Sequence, residues 1–189
     1  MILIPQFRNS VETLGTLSIV HTDELGNLKD NRYYSNVVTV IGKKWLAARM
    51  KDTVASVHTI PAQMSHMAVG GNATVGAAIT KITTDMSTLE ALTVVGTAPT
   101  IGELNRQALT TAGGTFAAYG STGVNNLIPT TSTITYAASF IAGQGTGAII
   151  QAGIFNASSA GVMLCVTSFD VVNKQANDSI AITWTINIS

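Results

Sequence analysis

The sequence predicts an all-β protein, an antiparallel β-sandwich with one short helix, and three observations carry that expectation. The last third holds four apolar, β-rich runs, residues 132–142, 148–156, 162–172 and 179–188. They are divided by the turn-forming stretches 143–147, 157–161 and 173–178, rich in Gly, Ser and Asn. Short strands at even spacing with such loops are the mark of antiparallel hairpins in a sandwich or barrel. The last run alternates with period two: Ile180, Ile182, Trp184, Ile186 and Ile188 fall on one face, and Ala181, Thr183, Thr185 and Asn187 on the other. Only residues 44–52 change period. There Trp45, Leu46, Arg49 and Met50 fall on one side of a two-turn helix, and Ala47 and Ala48 favour helix.

In chain order, residues 1–10 form an apolar arm, Met1-Ile2-Leu3-Ile4 with Phe7 close behind, which reads either as an edge strand or as an arm packing on a neighbouring subunit. Residues 11–21 read as a strand, 22–26 as a turn, 27–32 as a polar connection and 34–41 as a second strand ended by Gly42 and Lys43. The helix at 44–52 then serves as a lid, with Trp45 plugging one end of the sheet. Residues 55–69 give a strand entered through Ile60-Pro61, and 70–76 a loop. The stretch 77–102 reads equally as a short helix capped by Asp85 or as strand, through Ile79, Ile82, Val94 and Val95. A strand at 104–111 turns at Gly113-Gly114. Residues 116–128 lead to Pro129 and the terminal runs. The domain reading is an arm, 1–10, and one sandwich, 11–189, with an insertion at about 77–102.

Hydrophobic residues make up 46% of the 189 and charged ones only 11%, well under the usual quarter. Disorder needs the reverse composition, and so little charge gives weak protection against self-association. Much of the surface is therefore expected to be covered in an assembly. Ten basic and ten acidic residues cancel, and the largest basic cluster is Lys43-Lys44, which leaves no footprint for nucleic acid. No run of about 18 apolar residues exists to span a membrane.

Catalytic chemistry has little to work with. Cys165 sits in an apolar run and reads as a small buried hydrophobe. His21, His58 and His66 lack metal-ligand spacing and read as surface or turn residues. The aspartates fall mostly at turns, where carboxylates cap backbone N–H groups. Gly143, Gly145 and Gly147 precede a strand rather than the helix a phosphate cradle needs. No Gly-x-Ser-x-Gly elbow occurs. The expectation is a non-enzymatic component with no cofactor or ion. Glycan binding would draw on Tyr33, Tyr34, Tyr119 and Trp45, a thin supply when aromatics are 6% of the chain.

Several segments carry a resemblance: SHMAVGGNAT (65–74), ELNRQALTTAGG (103–114), ITYAASFIAGQGTGAIIQAGIFNASSAGVMLCVTSF (134–169) and VNKQANDSIAITWTINIS (172–189). Together they resemble tailed-bacteriophage virion structural proteins. Members of that group show a MAVGTG-like stretch, a short segment ending in E…R, an EAGLFNA…GTMLAR…F strand pair and a closing TWTI strand. GKKWLAARMKD (42–52) is similar to the short helix that precedes their MAVG stretch. This chain is longer than the pattern between Gly70 and Glu103, and Gly71-Asn72 stands where Thr-Gly is usual. The resemblance implies a β-sandwich, jelly-roll-like in type, repeated in a particle. One reading is a capsid decoration (cement) protein on the virion surface. It would bind the major capsid protein and other copies of itself as a trimer or dimer, with Met1, Ile2, Leu3, Ile4 and Phe7 reaching neighbours. The other is a tail-associated component such as a fibre, collar or baseplate adaptor.

Overall fold

A computed structural model describes residues 13–50, 61–77, 102–118 and 132–188. Among the described residues, ten strands and one helix follow in the order β1 (Thr13–Thr22), β2 (Leu28–Ser35), β3 (Val37–Val38), α1 (Val40–Met50), β4 (His66–Asn72), β5 (Gly102–Ala108), β6 (Thr115–Ala118), β7 (Ser132–Phe140), β8 (Gly147–Phe155), β9 (Met163–Lys174) and β10 (Ser179–Ile188). They form two antiparallel five-stranded sheets, β2-β1-β10-β7-β6 and β3-β9-β8-β4-β5. The all-β sandwich with one helix is the fold the sequence predicts.

The pairing nests: β1 with β10, β3 with β9, β4 with β8 and β6 with β7. The last four strands visit the first sheet, the second twice, then the first again. Of the three connections read as hairpins at the C-terminus, only β8–β9 joins paired neighbours. The turns after β7 and β9 carry the chain across to the other sheet, a distinction turn chemistry does not encode.

Between the sheets lies one core. β10 contributes Ile180, Ile182, Trp184 and Ile186, flanked by Leu17 and Ile19 of β1 and by Tyr136, Ala138 and Phe140 of β7. The facing sheet supplies Met67, Val69, Ile149, Ala152, Ile154, Leu164, Cys165, Phe169 and Val172. Cys165 is fully buried, as expected, and its thiol pKa is pushed well up by desolvation. Trp45 closes the core from α1, its indole N–H donating to the Ala62 carbonyl at 2.9 Å and the Arg49 guanidinium 5.3 Å from its ring centroid.

Four local readings are corrected. Residues 28–35 are a strand, where 27–32 read as a polar connection: β2 is an edge, so Lys29, Asn31, Tyr33 and Ser35 stay in solvent while Arg32 and Tyr34 turn inward. Arg32 Nη1 donates to the Asp170 and Val171 carbonyls of β9 at 2.7 and 3.2 Å, and Tyr34 packs on Phe169. The strand read at 34–41 shrinks to Val37–Val38, because Thr39 caps a helix. Its Oγ1 accepts from Gly42 N at 2.8 Å and its carbonyl from Lys43 N. α1 therefore starts four residues before the predicted 44, with Gly42 inside it: a Cβ there would lie 2.0 Å from the Leu164 carbonyl oxygen. Finally, β4 runs through Gly70 and Gly71, read as loop. A Cβ at Gly71 would meet the Ala148 carbonyl oxygen at 2.0 Å, so these glycines let two backbones close rather than turn.

Candidate functional site

Three turns meet at one end of the sandwich, the β1–β2 hairpin and the two crossings β7–β8 and β9–β10. The β1–β2 turn is built on Asp23, whose Oδ1 accepts from Leu25 N at 2.9 Å and Asn27 N at 2.8 Å, and whose Oδ2 accepts from Asn27 Nδ2 at 2.9 Å. The Asn27 amide, first among these, holds the Asp23 carboxyl below its usual range. Gly26 takes the left-handed conformation the turn requires, with φ of 83°. Leu25 is thereby thrust outward, 81% exposed.

The β9–β10 turn is organised by Asp178. Its Oδ2 takes hydrogen bonds from Lys29 Nζ at 2.7 Å, Gln175 N at 2.9 Å and His21 Nε2 at 2.8 Å. Desolvation would raise the Asp178 pKa, but these donors outweigh it and hold the carboxyl at about 2. Asn177 Nδ2 donates to Glu24 Oε2 at 3.0 Å, tying the two turns together. The β7–β8 turn joins them through Gly143 N to the Ala176 carbonyl at 2.7 Å and Lys174 Nζ to the Ile141 carbonyl at 3.1 Å. Lys174 is fully buried, and desolvation lowers its pKa against the opposing pull of Asp178.

Between the turns opens a notch of about 380 Å³, walled by Asp23, Glu24 and Leu25 on one side and residues 175–178 on the other. Leu28, at the start of β2, and Ile141, in the β7–β8 turn, are 63% and 56% exposed. The arrangement offers carboxylates and apolar side chains at its rim. Its one imidazole, His21, is buried and bonded to Asp178.

A second polar cluster lies on the other sheet. Arg106 of β5 sits 3.8 Å from the centroid of the Phe155 ring and donates from Nη1 to the Ala157 and Ala160 carbonyls at 2.9 and 2.8 Å. Its Nε and Nη2 meet the Glu103 carboxylate at 2.9 and 2.6 Å. One guanidinium thus clasps the β8–β9 loop and lies flat on an aromatic ring, a geometry that suits Arg and not Lys.

The arm residues Met1, Ile2, Leu3, Ile4 and Phe7 lie outside the described residues, as do His58, Tyr119 and residues 78–101 of the predicted insertion. Ala77 and Gly102, which bracket that insertion, both stand at the notch end, where Gly71 pairs with Gly102 and Asn72 with Ala148. His21 is corrected: it is a buried residue of β1, not a surface or turn one, because its partner Asp178 is supplied from 157 positions away. His66 is half-buried, with Nδ1 2.8 Å from Ser65 Oγ. Asp23 and Asp178 cap backbone N–H groups at turns as expected, whereas Asp30 and Asp170 lie within β2 and β9. Of the aromatics considered for sugar, Tyr33 is exposed, Tyr34 packs inward and Trp45 is buried. Sequence reasoning did not find the notch; the exposed Leu25 and Leu28 beside a tight Asp-x-x-Gly turn were its one visible trace.

Among the described residues no group of three His, Cys, Asp or Glu side chains could hold a metal ion, and no helix is long and apolar enough to cross a membrane. Comparison with known proteins found no matching family model, no similar curated protein and no similar solved structure.

Proposed function

We propose that this chain is a non-enzymatic virion structural protein of a tailed phage, a decoration (cement) protein on the capsid surface that bridges major capsid protein subunits. The observation that carries the reading is how the segments behind the resemblance pack on one another. Arg106 of ELNR lies on Phe155 of QAGIFNA and clasps the Ala157 and Ala160 carbonyls of the following loop. The strand of SHMAVGGN pairs with both, and ITWTI forms the centre of the opposite sheet. The resemblance therefore falls on interlocking parts of one scaffold, not on scattered residues.

Composition supports the same reading. With 11% charged residues, the surface suits broad contacts of apolar and hydrogen-bonding groups. Many such weak contacts, repeated over a symmetric lattice, add by avidity and resist pressure from within.

The test is the copy number of this chain in purified particles made from the genome that encodes it, by quantitative mass spectrometry. A lattice protein is present on the order of hundreds of copies per particle. A few to a few dozen copies would move it to the tail, as a fibre, collar or baseplate component. Complete absence from particles rejects both.

A further inference from the structure

β1 fixes where the arm can go. Thr13 lies opposite Ile188 and Thr22 opposite Ser179, so the chain enters β1 at one end of the sandwich and reaches the notch at the other. Nine residue steps at ~3.3 Å separate those ends by about 30 Å. From Thr13 back to Ile4 is also nine steps, at most ~32 Å when fully extended. An arm that must first reverse direction uses residues in doing so, so Ile4, Phe7 and Arg8 fall short of the notch on their own chain. A second copy stacked end on end places that notch directly against the arm's point of departure.

The two surfaces match in chemistry. Residues 1–8 carry Met1, Ile2, Leu3, Ile4 and Phe7 and a single charged side chain, Arg8. A residue before proline favours extended backbone, so the Ile4-Pro5 sequence suits a segment that lies strand-like in a groove. The notch offers Leu25, with Leu28 and Ile141 flanking it, and an acidic wall of Asp23 and Glu24. The charge of Asp178 is already taken up by Lys29, which leaves the two outer carboxylates to face a cation.

We propose that the notch of one copy receives residues 1–8 of a second copy, joining copies end to end, with the apolar run against Leu25, Leu28 and Ile141 and Arg8 against Glu24 and Asp23. The two contacting surfaces differ, so the contact is heterologous: it closes as a ring if the rotation allows and otherwise continues as a chain. This concerns the protein alone and stands or falls separately from its place in a particle.

The test is sedimentation velocity of the full chain over a concentration series. The chain is expected to form species larger than a monomer as concentration rises. Two variants, Leu25→Asp with Leu28→Asp in the notch and Ile2→Asp with Ile4→Asp in the arm, each raise the midpoint of association about tenfold or more. Their far-UV circular dichroism stays unchanged. Mixed together, they restore dimers but nothing longer, because only one intact arm and one intact notch remain per pair. A chain monomeric at every concentration overturns the proposal. So does association untouched by either variant, or a mixture that yields no dimers. Should an aspartate variant lose its fold, the Leu25→Ser or Ile4→Ser chain is read the same way.

Discussion

The central strands of the two sheets, β10 and β8, solve the same problem with opposite patterns. β10 alternates: Ile180, Ile182, Trp184 and Ile186 are buried, while Ala181 and Thr183 are exposed and Thr185 and Asn187 half-buried. β8 is buried at all nine positions, Gly147 through Phe155. One face of β8 joins the core through Ile149, Ala152 and Ile154. Ala148 and Ile150 form a separate small cluster with Ala77 and Val171. β10 thus works with one buried face and β8 with two, and this sets both what each strand tolerates and how readily it is read.

Four substitutions or titrations press on that contrast. The largest effect belongs to Trp184→Ala, which empties the centre of the shared core and costs about 3–5 kcal/mol; urea unfolding measures it. Trp184→Phe costs far less, since the indole N–H has no hydrogen-bond partner to lose. Thr183→Ala, on the exposed face of the same strand, stays within about 0.5 kcal/mol. A Thr183 effect approaching that of Trp184 would mean the outer face of the first sheet is covered too.

Next comes Arg106→Ala, expected to cost about 2–4 kcal/mol, because it strips charged donors from two loop carbonyls and leaves Glu103 without its partner. Arg106→Lys recovers little of this if the flat, forked geometry is what matters. Full recovery in thermal melts would reduce the clasp to a simple charge.

Gln151, in β8, is fully buried with neither amide atom hydrogen-bonded. An unpartnered buried amide costs about 1–3 kcal/mol, so Gln151→Leu is expected to raise stability by up to that amount. Gln151→Glu is expected to lower it at neutral pH. A less stable Leu variant would reveal a partner that a fully apolar side chain cannot satisfy.

The smallest effect is acid titration of the notch end. Asp178 has a folded pKa of about 2, below the ordinary unfolded value of ~3.9. Its contribution is therefore complete above pH ~4 and lost as pH falls toward 2, on the order of 1–2 kcal/mol. Melting temperatures of the native chain and Asp178→Asn should differ at pH 6 and converge near pH 2. A constant gap would show that the hydrogen bonds, and not the ionised carboxylate, hold the turns.

The same contrast explains what could be read in advance. β10 was legible because one buried face writes alternation into the sequence. β7, β8 and β9 were legible as strands because Gly, Ser and Asn separate them. Their partners were not, since chain crossing depends on which sheet accepts a strand. β2 was missed because an edge strand keeps charged residues, and its inward-facing Arg32 finds carbonyls on β9 rather than apolar neighbours. The start of α1 was hidden by the β-branched run Val37-Val38-Thr39-Val40-Ile41, which argues for strand until the Thr39 cap is seen. Of the candidate site, only the local turn chemistry at Asp23 was accessible. The Asp178 knot joins His21, Lys29 and Gln175, and two of its three partners lie about 150 positions upstream.

The antiparallel match of β1 with β10, from Thr13 beside Ile188 to Thr22 beside Ser179, has a mechanical corollary. Force applied to whatever precedes Thr13, while the sandwich is held from beyond Ile188, peels that ladder apart one rung at a time, the weakest way to load it. The same force transmitted from tip to tip runs along the strands and shears many rungs together. A tether of this block therefore bears tension best when its far anchor is the cluster of turns at the opposite end and not the neighbouring strand end.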